Sequence, residues 1–570
     1  MAQLSMSAPV ASTRATPAAD LDRAVAELQE RARPFARLAP GAKADLVRAC
    51  LPRVVAVAAA WSARGLEAKD LPPTAAEEWL AGPLPVVRHL RLLADALDVV
   101  ARDGRPPLGT GHRLREDGRV EVDVFPVSRA DRLLYAGTTA HVLLQEGVDV
   151  DEARRLQAPF YAETDPDGGV CLVLGAGNAS SIPAMDVLTK LFNEGQVCLL
   201  KINPVNEWVG PLLEQALEPL VSGGYLRVVY GGADEGRHLA EHPGVDAVHL
   251  TGSARTHDAL VWGPPGADQD RRRAADDPVL RVPITSELGN VTPVVVVPHR
   301  YSDPELAFQA RYLATMVANN ASFNCISAKV LVTAAGWPQR EKFLALLTGY
   351  LRAIPTRLAY YPGAADRYDA LTGGRDVQTV GERVGGRLPW TLVRGLDAGA
   401  DDPLFRTEPF CAVLSETALG GTDPVTFLAD ATTFCNDTLW GTLSAELVVP
   451  PALQQDPAVA RALDRAVLDL RYGNVAVNHW PAVNYALVSL PWGGHPSATL
   501  QDVQSGLGWV HNTFMLGGLE KAVLRGSIRS RTTPPWFADL PDAGRAGADL
   551  VRFEADPRLR RLPGLLRHLV

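Results

Sequence analysis

Apolar residues recur at intervals of three and four along the first hundred positions of the chain. The stretches LDRAVAELQERARPFARL (21–38) and GAKADLVRACLPRVVAVAAAW (41–61) both follow this spacing, which is typical of amphipathic helices. The pattern predicts helices from residue 21 to about residue 102. From residue 118 to residue 144 the pattern alternates between apolar and polar positions, which predicts a β-hairpin or paired strands.

Short apolar stretches alternate with amphipathic ones from residue 170 onwards. Predicted strands such as VCLVLGAG and VDAVHLTGS are separated by helical patterns, an order that is typical of a parallel sheet covered on both faces. A second set of strands, including TPVVVVP and AKVLVT, predicts another α/β unit from about residue 286 to 480. Doubly wound sheets bind ligands at the carboxyl ends of their strands, where GAGN (175–178) and LTGSA (250–254) fall.

Composition narrows the class of protein. The 570 residues are 47% hydrophobic and 21% charged, as in a globular protein of two or three domains. The net charge is −9 and no large basic cluster is present, so nucleic acid is not an expected partner. No uninterrupted apolar run reaches the roughly 18 residues of a membrane span, so a membrane is not an expected partner either.

Cysteine and histidine spacing argues against metal ions and disulfide bonds. The six cysteines are scattered without a C-x-x-C pair, and the twelve histidines lack a spacing such as H-x-x-x-H. We therefore expect no metal site, a reducing compartment and a cytoplasmic location. The first 20 residues are rich in Ala, Ser, Thr and Pro, and we expect them to form a disordered tail rather than a signal peptide.

Four short stretches carry candidate chemistry. Cys325 lies in NNASFNCISAKVLV, among small and polar residues, whereas a buried structural cysteine normally has apolar neighbours. Asn178 ends GAGN, Glu287 lies in TSELGN, and Glu408 and Phe410 lie in TEPFCAVL. Taken singly, each residue also has an ordinary structural interpretation, as a core cysteine, a turn asparagine, a solvated glutamate or loop packing.

The order and spacing of these stretches resemble the aldehyde dehydrogenase superfamily. That family has a glutamate in an E-L-G-G motif before a cysteine in an N-x-G-Q-x-C motif, and here Cys325 follows Glu287 by 38 residues. A family asparagine precedes a cofactor-binding lysine, and here Lys201 follows Asn178 by 23 residues. TEPFCAVL keeps the family's E-x-F order, and YGNVAVNHW and LPWGG resemble its closing segments. The resemblance covers the chain from residue 21 to about residue 520.

The resemblance implies a role for each residue. Cys325 would be the nucleophile that attacks an aldehyde, and Glu287 the general base that activates the hydrolytic water. The Asn178 amide and the Cys325 backbone N–H would stabilise the oxyanion. The implied cofactor is NAD or NADP, bound at the adenosine ribose by Lys201, at the pyrophosphate by Gly252 and Ser253, at the nicotinamide ribose by Glu408 and near the ring by Phe410.

The catalytic motifs depart from the family pattern in several places. Ser322 and Phe323 replace the glycine and glutamine of the cysteine motif. Asn290 ends the glutamate motif, and Cys411 replaces the glycine of the E-x-F motif.

The cofactor motifs depart as well. A glycine of the family's phosphate turn is His257 here, which we expect to crowd or reshape that site. Gly252 and Ser253 also have an ordinary interpretation as a helix N-cap. Pro204 takes the place of a ribose-binding glutamate, which makes NADP acceptable, and Arg255 is a candidate partner for a 2′-phosphate.

The implied fold is α/β and aldehyde dehydrogenase-like, with a Rossmann-type cofactor domain, an α/β catalytic domain and a β-hairpin oligomerisation region. We expect a tail at 1–20, the cofactor domain at 21–114 and 166–285, the catalytic domain at 286–480, the oligomerisation region at 115–165 and 481–510, and a C-terminal extension at 511–570. The extension is Arg-, Pro- and Gly-rich and ends in an amphipathic segment, PRLRRLPGLLRHLV. The resemblance implies a homodimer or homotetramer through the hairpin, which otherwise leaves strand edges exposed.

The expected reaction is NAD(P)-dependent oxidation of an aldehyde to a carboxylic acid through a cysteine thiohemiacetal and thioester. Two alternatives remain open. A coenzyme A-acylating aldehyde dehydrogenase or acyl-CoA reductase exchanges the acyl group with a thiol rather than with water, although Glu287 favours hydrolysis. A catalytically inactive scaffold would keep the fold and bind cofactor weakly, and the altered cysteine and phosphate-turn motifs allow this.

Overall fold

Four helices begin the described part of the chain, which in this computed structural model comprises residues 15–530, 532–540 and 542–558. They are α1 (Ala18–Ala36), α2 (Pro40–Ala68), α3 (Glu77–Ala81) and α4 (Pro83–Asp103), in the region where the sequence predicts helices. Residues 1–14 of the predicted tail lie outside the described residues. Its last positions are ordered, because Thr16 and Tyr230 form two hydrogen bonds and α1 begins at Ala18.

Helix α2 is long and apolar enough to cross a membrane by length and mean hydropathy alone, although charged residues interrupt its apolar run. Its apolar side includes Val47, Val54 and Trp61, which are fully buried in the protein. This side packs against α4. Helix α2 therefore packs as the core helices of globular proteins do.

A β-hairpin follows these helices. Its elements are β1 (Gly111–Leu114), β2 (Val120–Phe125), α5 (Arg129–Leu134), β3 (Thr139–Leu144) and α6 (Val150–Leu156). The strands β1, β2 and β3 pair antiparallel in chain order, in agreement with the alternating pattern of the sequence. Strand β1 lies at one edge of its sheet.

A five-stranded sheet forms the predicted cofactor unit. Its elements are β4 (Val170–Leu174), α7 (Ile182–Phe192), β5 (Val197–Lys201), α8 (Gly210–Ala216), α9 (Glu218–Ser222), β6 (Leu226–Val229), α10 (Ala233–Ala240), β7 (Ala247–Thr251), α11 (Ala254–Trp262), α12 (Ala267–Ala274) and β8 (Ile284–Glu287). All its strand pairs are parallel, in the order β6-β5-β4-β7-β8. Strands β4 and β5 are buried along their whole length, which is why they appear as continuous apolar stretches.

The position of Glu287 differs from the sequence prediction. Glu287 lies within the expected catalytic domain, 286–480, but it ends β8 of the cofactor sheet. There it lies opposite Thr251, the last residue of β7. The cofactor sheet thus extends past the predicted boundary at residue 285. Because the carboxyl ends of parallel strands meet at one edge of a sheet, Glu287 lies beside the turn that follows β7.

An eleven-stranded sheet contains the rest of the fold. After β8 the chain forms β9 (Pro293–Val296), α13 (Asp303–Ala318), β10 (Val330–Ala334), α14 (Arg340–Ala353), β11 (Arg357–Leu358), α15 (Ala364–Thr372), β12 (Gln378–Val380), β13 (Arg387–Leu388), β14 (Trp390–Leu396), α16 (Pro403–Arg406), β15 (Val413–Leu419), α17 (Pro424–Asp437), β16 (Ser444–Val448), α18 (Pro451–Gln454), α19 (Pro457–Asp469), β17 (Asn474–Val477), α20 (Ala482–Leu487), β18 (Leu519–Arg525) and α21 (Gly544–Ala555). The strand order is β1-β2-β3-β18-β17-β16-β9-β10-β15-β14-β12. The strands from β18 to β14 in this order run parallel.

Strand β18 joins the hairpin to the catalytic unit. It pairs antiparallel with β3 and parallel with β17. The segment 481–510, which was expected to complete the hairpin region, instead contributes the short helix α20 and an isolated bridge between Trp492 and Val510. The extension was expected to start at residue 511. Strand β18 therefore lies within the expected extension, although it belongs to the eleven-stranded sheet.

The C-terminal extension folds back onto the N-terminal helices through α21, which packs on α2, α3 and α4. Arg88 of α4 donates hydrogen bonds to Asp131 (2.9 Å) and to Glu554 of α21 (3.0 Å), and all three side chains are buried. From residue 559 onwards the predicted amphipathic end of the chain lies outside the described residues.

Candidate active site

A cavity of about 1570 Å³ lies at the carboxyl edge of the cofactor sheet. The last residues of β4, β5, β7 and β8 line it, together with residues of the catalytic unit. This cavity, called the cleft below, brings together all eight predicted site residues: Asn178, Lys201, Gly252, Ser253, Glu287, Cys325, Glu408 and Phe410.

The six cysteines, all in the described residues, are free thiols and differ in exposure. Cys325 is partly exposed and lines the cleft. The other five are buried, and they are Cys50, Cys171, Cys198, Cys411 and Cys435. Exposure therefore separates Cys325 from the core cysteines.

Glu287 lies beside Cys325, although the two residues belong to different units of the fold. Burial raises the pKa of Glu287 to about 8. Burial, followed by the nearby carboxyl groups of Glu287 and Glu408, raises the pKa of the Cys325 thiol well above its usual range. A carboxyl group whose pKa is close to neutral pH is suited to accept a proton from a neighbouring thiol or water.

The turn before Cys325 has a left-handed backbone. Asn320, Ala321 and Ser322 have φ angles of 52°, 53° and 68°. Such angles cost non-glycine residues about 1–3 kcal/mol each, so the surrounding structure must hold the turn. Ser322 stands where the family motif has glycine, and its positive φ is the physical reason why glycine suits this position.

Asn178 is held in place by four hydrogen bonds. Its backbone carbonyl accepts from Lys69 Nζ (2.9 Å), Asn320 Nδ2 (3.0 Å) and the Tyr360 hydroxyl (3.2 Å). Its side-chain Nδ2 donates to the carbonyl oxygen of Phe323 at 2.9 Å. A primary amide has two N–H donors, so one donor of Asn178 remains for a ligand in the cleft.

The turn between β7 and α11 has the features of an anion site. Ser253 is the N-cap of α11, and its Oγ accepts from the backbone N–H of Thr256 at 3.2 Å. Lys201, at the end of β5, lines the same cleft, and burial lowers its pKa to about 8. A helix N-terminus is suited to a phosphate group, and a lysine in the same cleft adds a positive charge. His257 was expected to crowd this turn, but its side chain is fully buried and does not line the cleft.

Two residues relevant to a 2′-phosphate line the same cleft. They are Pro204, which takes the place of a ribose-binding glutamate of the family, and Arg255, the candidate partner for a 2′-phosphate. Proline has no carboxylate that would repel a phosphate, and arginine binds phosphate oxygens. The lining therefore has no carboxylate at residue 204 and has a cation at residue 255.

Glu408 and Phe410 approach the cleft from the loop before β15. A Cβ atom on Gly289 would overlap the Glu408 carboxylate, so this glycine is needed for close approach. Glu408 Oε1 is buried without a hydrogen-bond partner among the described residues, as expected of an acceptor that awaits a ligand hydroxyl. The Phe410 ring packs against Phe323 (5.5 Å between ring centres) and Tyr361 (5.0 Å).

Sequence reasoning missed two cationic residues of this region. Lys329 is fully buried and donates to Ser322 in the turn before Cys325. Arg367 lines the cleft and donates to the backbone carbonyls of Pro409 (3.3 Å) and Phe410 (3.2 Å). The available signal for Lys329 was a lysine directly before a buried, mainly apolar strand, whereas nothing in the sequence marked Arg367.

Comparisons with known proteins relate this chain to others by sequence over part of its length and by structure over most of it. No family model matches the chain. A curated relative, the N-succinylglutamate 5-semialdehyde dehydrogenase of Sphingopyxis alaskensis, is 28% identical over 217 residues, which are 36% of this chain and 42% of the relative. The match thus spans less than half of that relative.

Solved structures overlap almost the whole chain. The aldehyde dehydrogenase KauB from Pseudomonas aeruginosa has a TM-score of 0.60 at 17% identity and covers 91% of both chains. An NAD-dependent aldehyde dehydrogenase from Sinorhizobium meliloti has a TM-score of 0.58 at 19% identity, over 91% of this chain and 89% of the other. The NADP-dependent glyceraldehyde-3-phosphate dehydrogenase from Bacillus halodurans, solved with NADP, has a TM-score of 0.57 at 17% identity, over 90% and 92%. These overlaps confirm the fold that the motifs predicted, and this chain has the fold of the aldehyde dehydrogenases.

Proposed function

We propose that this chain oxidises an aldehyde to a carboxylic acid and reduces NAD or NADP. One observation carries the proposal: Cys325 and Glu287 lie in the same cleft as Lys201 and the Gly252–Ser253 turn. A nucleophile, a base and a phosphate-binding turn in one cleft are the parts that this reaction needs. The aldehyde dehydrogenase fold of the chain supports the same reaction class.

The first step is attack by Cys325 on the aldehyde carbon. Glu287 accepts the thiol proton, and the thiolate forms a thiohemiacetal with the carbonyl carbon. Negative charge then develops on the former carbonyl oxygen, where the unused N–H of Asn178 and the backbone N–H of Cys325 stabilise it. Because other hydrogen bonds hold Asn178, this donor needs little reorganisation during the reaction.

The residues that line the cleft fit a nicotinamide dinucleotide. The α11 N-terminus and Lys201 suit its phosphate and ribose groups, and the unpaired Oε1 of Glu408 suits a ribose hydroxyl. Held by these residues, the nicotinamide ring of NAD or NADP would supply a hydride acceptor for the thiohemiacetal carbon, and Cys325 would then carry the acyl group as a thioester.

Hydrolysis of the thioester completes the cycle. Glu287 first loses to solvent the proton that it took from the thiol; it then removes a proton from a water molecule, and the resulting hydroxide attacks the thioester carbon. The carbon–sulfur bond breaks, Glu287 returns this second proton to the sulfur of Cys325, and the carboxylic acid is released. The aldehyde and water thus yield an acid, while NAD(P) gains the hydride and one proton is released.

The experiment is to follow reduced-nicotinamide absorbance with the purified protein. NAD and NADP are each offered with short, long and aromatic aldehydes, with and without coenzyme A. We expect turnover without coenzyme A in the wild type and in Cys435→Ala, a matched change at a buried core cysteine. Cys325→Ala should lose at least about 10³-fold in kcat, because it lacks the nucleophile.

Other outcomes of this assay identify the alternatives. Turnover only with coenzyme A would replace hydrolysis by acyl transfer to a thiol. No turnover with any pair, together with a melting temperature that neither cofactor raises, would favour the inactive scaffold, because a ligand that binds only the folded state must stabilise it.

We also propose that the protein works in the cytoplasm. Its six cysteines are free thiols, a state that a reducing compartment preserves. Mass spectrometry of alkylated protein from intact cells tests this, because disulfide-linked cysteines would escape alkylation.

A further inference from the structure

Arg367 of α15 is a cation of the cleft that donates hydrogen bonds to three backbone carbonyls. Its side chain is half-buried and lines the cleft. Nε donates to the carbonyl oxygen of Pro409 at 3.3 Å, Nη2 to that of Phe410 at 3.2 Å, and Nη1 to that of Pro362 at 3.1 Å. These contacts join α15 to the loop that carries Phe410.

Two of the three carbonyls lie on either side of the Phe410 Cα atom. The Pro409 carbonyl belongs to the peptide plane before Phe410, and the Phe410 carbonyl belongs to the plane after it. Because peptide units are planar, two fixed carbonyls fix the φ and ψ angles between them. A single guanidinium group can hold both, since its N–H donors form a rigid, planar fork.

Phe410 needs such a restraint because its backbone is left-handed. Its φ angle is 41°, a value that a bulky residue rarely adopts. A strained backbone of this kind persists only where neighbouring groups fix it. The two hydrogen bonds from Arg367 act on the strained angles themselves, so Arg367 is the group that holds Phe410 in this conformation.

The third hydrogen bond ties the same guanidinium to a second wall of the cleft. The residue before Pro362 is Tyr361, whose ring packs edge-to-face on the Phe410 ring, with 5.0 Å between the ring centres and 82° between the planes, a favoured aromatic geometry. Gly363 has a φ angle of 71°, and a Cβ atom there would lie 3.2 Å from Arg367 Nη1. Arg367 thus fixes the Phe410 backbone and also the segment that carries the neighbour of its ring.

We propose that Arg367 is a positioning residue that holds the Phe410 ring as one wall of the site for the nicotinamide ring. The inference rests on the proposed function, in which a nicotinamide dinucleotide occupies the cleft. Because Phe410 and Cys325 line the same cleft, the place of this wall decides where the nicotinamide ring lies relative to the thiol. Arg367 therefore acts on the nicotinamide half of the cofactor, whereas Lys201 and the Gly252–Ser253 turn act on the ADP half.

The test compares two ligands by isothermal titration calorimetry. They are NAD and ADP-ribose, which lacks the nicotinamide ring. The wild type should bind NAD about tenfold more tightly than ADP-ribose, because only NAD has a ring to pack on Phe410. Arg367→Met should lose this difference and keep the wild-type Kd for ADP-ribose. Arg367→Lys keeps the charge but not the planar fork, so it should behave like Arg367→Met.

A second measurement needs no cofactor. Hydrogen–deuterium exchange with mass spectrometry reports how firmly the backbone around Phe410 is held, and Arg367→Met should raise exchange of the peptide that contains Phe410 about tenfold. Arg227→Met is the matched control. Arg227 is also half-buried and its Nη1 donates to the carbonyls of Val221 (3.0 Å) and Leu226 (3.1 Å), but it does not line the cleft. This control should keep wild-type exchange at Phe410 and the wild-type preference for NAD.

The outcomes separate this inference from the proposed function. Wild-type exchange at Phe410 in Arg367→Met would overturn the inference, whatever the ligands do. Equal increases of Kd for NAD and ADP-ribose would also overturn it, because Arg367 would then contact the phosphate or ribose groups directly. Equally fast exchange in Arg227→Met would overturn it as general destabilisation. A wild type that binds neither ligand would refute the proposed function and the nicotinamide wall together, while fast exchange in Arg367→Met would still establish that Arg367 holds Phe410.

Discussion

At the scale of single residues, the chemistry depends on burial more than on residue type. Chains contain many glutamates, but Glu287 is 4% exposed and lies beside a thiol, and burial raises its pKa to about 8. A general base works best with a pKa close to the ambient pH, and burial at the end of β8 moves the pKa of Glu287 towards that range. Burial of Glu287 also makes the free energy of unfolding depend on pH.

Glu287→Gln should stabilise the protein at high pH while it stops turnover. The folded pKa of about 8 lies above the unfolded value near 4.5, so the folded state binds the proton more tightly and stability falls as pH rises between these values. Glu287→Gln has no carboxyl group to ionise, so it avoids this loss of folding stability, which is on the order of a few kcal/mol above pH 8. Melting temperatures should exceed the wild type at pH 8.5 and converge with it near pH 5.

Glu446→Gln is the control for this prediction. Glu446 of β16 is also buried, and burial alone raises its pKa well above the usual range. This variant should gain stability at high pH and keep its turnover. Wild-type kcat should rise with pH towards 8, as Glu287 loses its proton. A Glu287→Gln variant that kept wild-type kcat would contradict the role of Glu287 as base.

The sequence could predict those site residues that lie in the family's motifs, because the motifs follow one another in a fixed order. Asn178, Glu287, Cys325 and Glu408 appear in the expected order and spacing, and the fold brings them to one cleft. Lys329 has no such pattern. Its hydrogen bond to Ser322 could not be predicted, because no sequence rule specified the left-handed backbone of that turn.

At the scale of helices and strands, the long elements were predictable and the short polar ones were not. Strands β4 and β5 are wholly apolar and stand out in the sequence. Strand β8 has only four residues, including a threonine, a serine and a glutamate, and it exists because β7 offers a parallel partner. Strand β18 was missed for a similar reason, since its neighbours β3 and β17 come from distant parts of the chain.

Gly289 offers a test of the loop after β8. Gly289→Ala places a methyl group where the Glu408 carboxylate lies, so Glu408 must move away from its position in the cleft. We expect the Kd for NAD or NADP to rise about tenfold, which corresponds to roughly 1.4 kcal/mol. Isothermal titration calorimetry measures this directly, without an aldehyde.

Gly349→Ala is the matched control for this substitution. Gly349 lies within α14, and a Cβ atom there meets nothing within 4 Å. The change should leave cofactor binding unaltered and stabilise the protein by about 0.5–1 kcal/mol, because alanine favours helices. Equal cofactor affinity in both variants would show that the position of Glu408 does not matter for binding.

At the scale of the whole molecule, the site lies where two sheets built from distant segments meet. Cys325 depends on the catalytic unit, whereas Glu287 and Asn178 depend on the cofactor unit. The C-terminal helix α21 packs on the N-terminal helices, with Glu554 bound to Arg88. The segment 511–570, which was expected to extend past the part that resembles the family, thus contributes β18 and α21 to the fold.

The hairpin edge leads to the last prediction, a homo-oligomer. Strand β1 ends the eleven-stranded sheet, and Leu114 at its end is 70% exposed. An edge strand with free backbone groups and an exposed apolar side chain at its end favours pairing with another chain. Light scattering after size exclusion should therefore give a multiple of 61.1 kDa for the wild type. Leu114→Lys should weaken association at least about tenfold, whereas Val384→Lys, at an apolar side chain that is 59% exposed elsewhere, should not. A wild type that is monomeric at micromolar concentration would rule out this use of the hairpin.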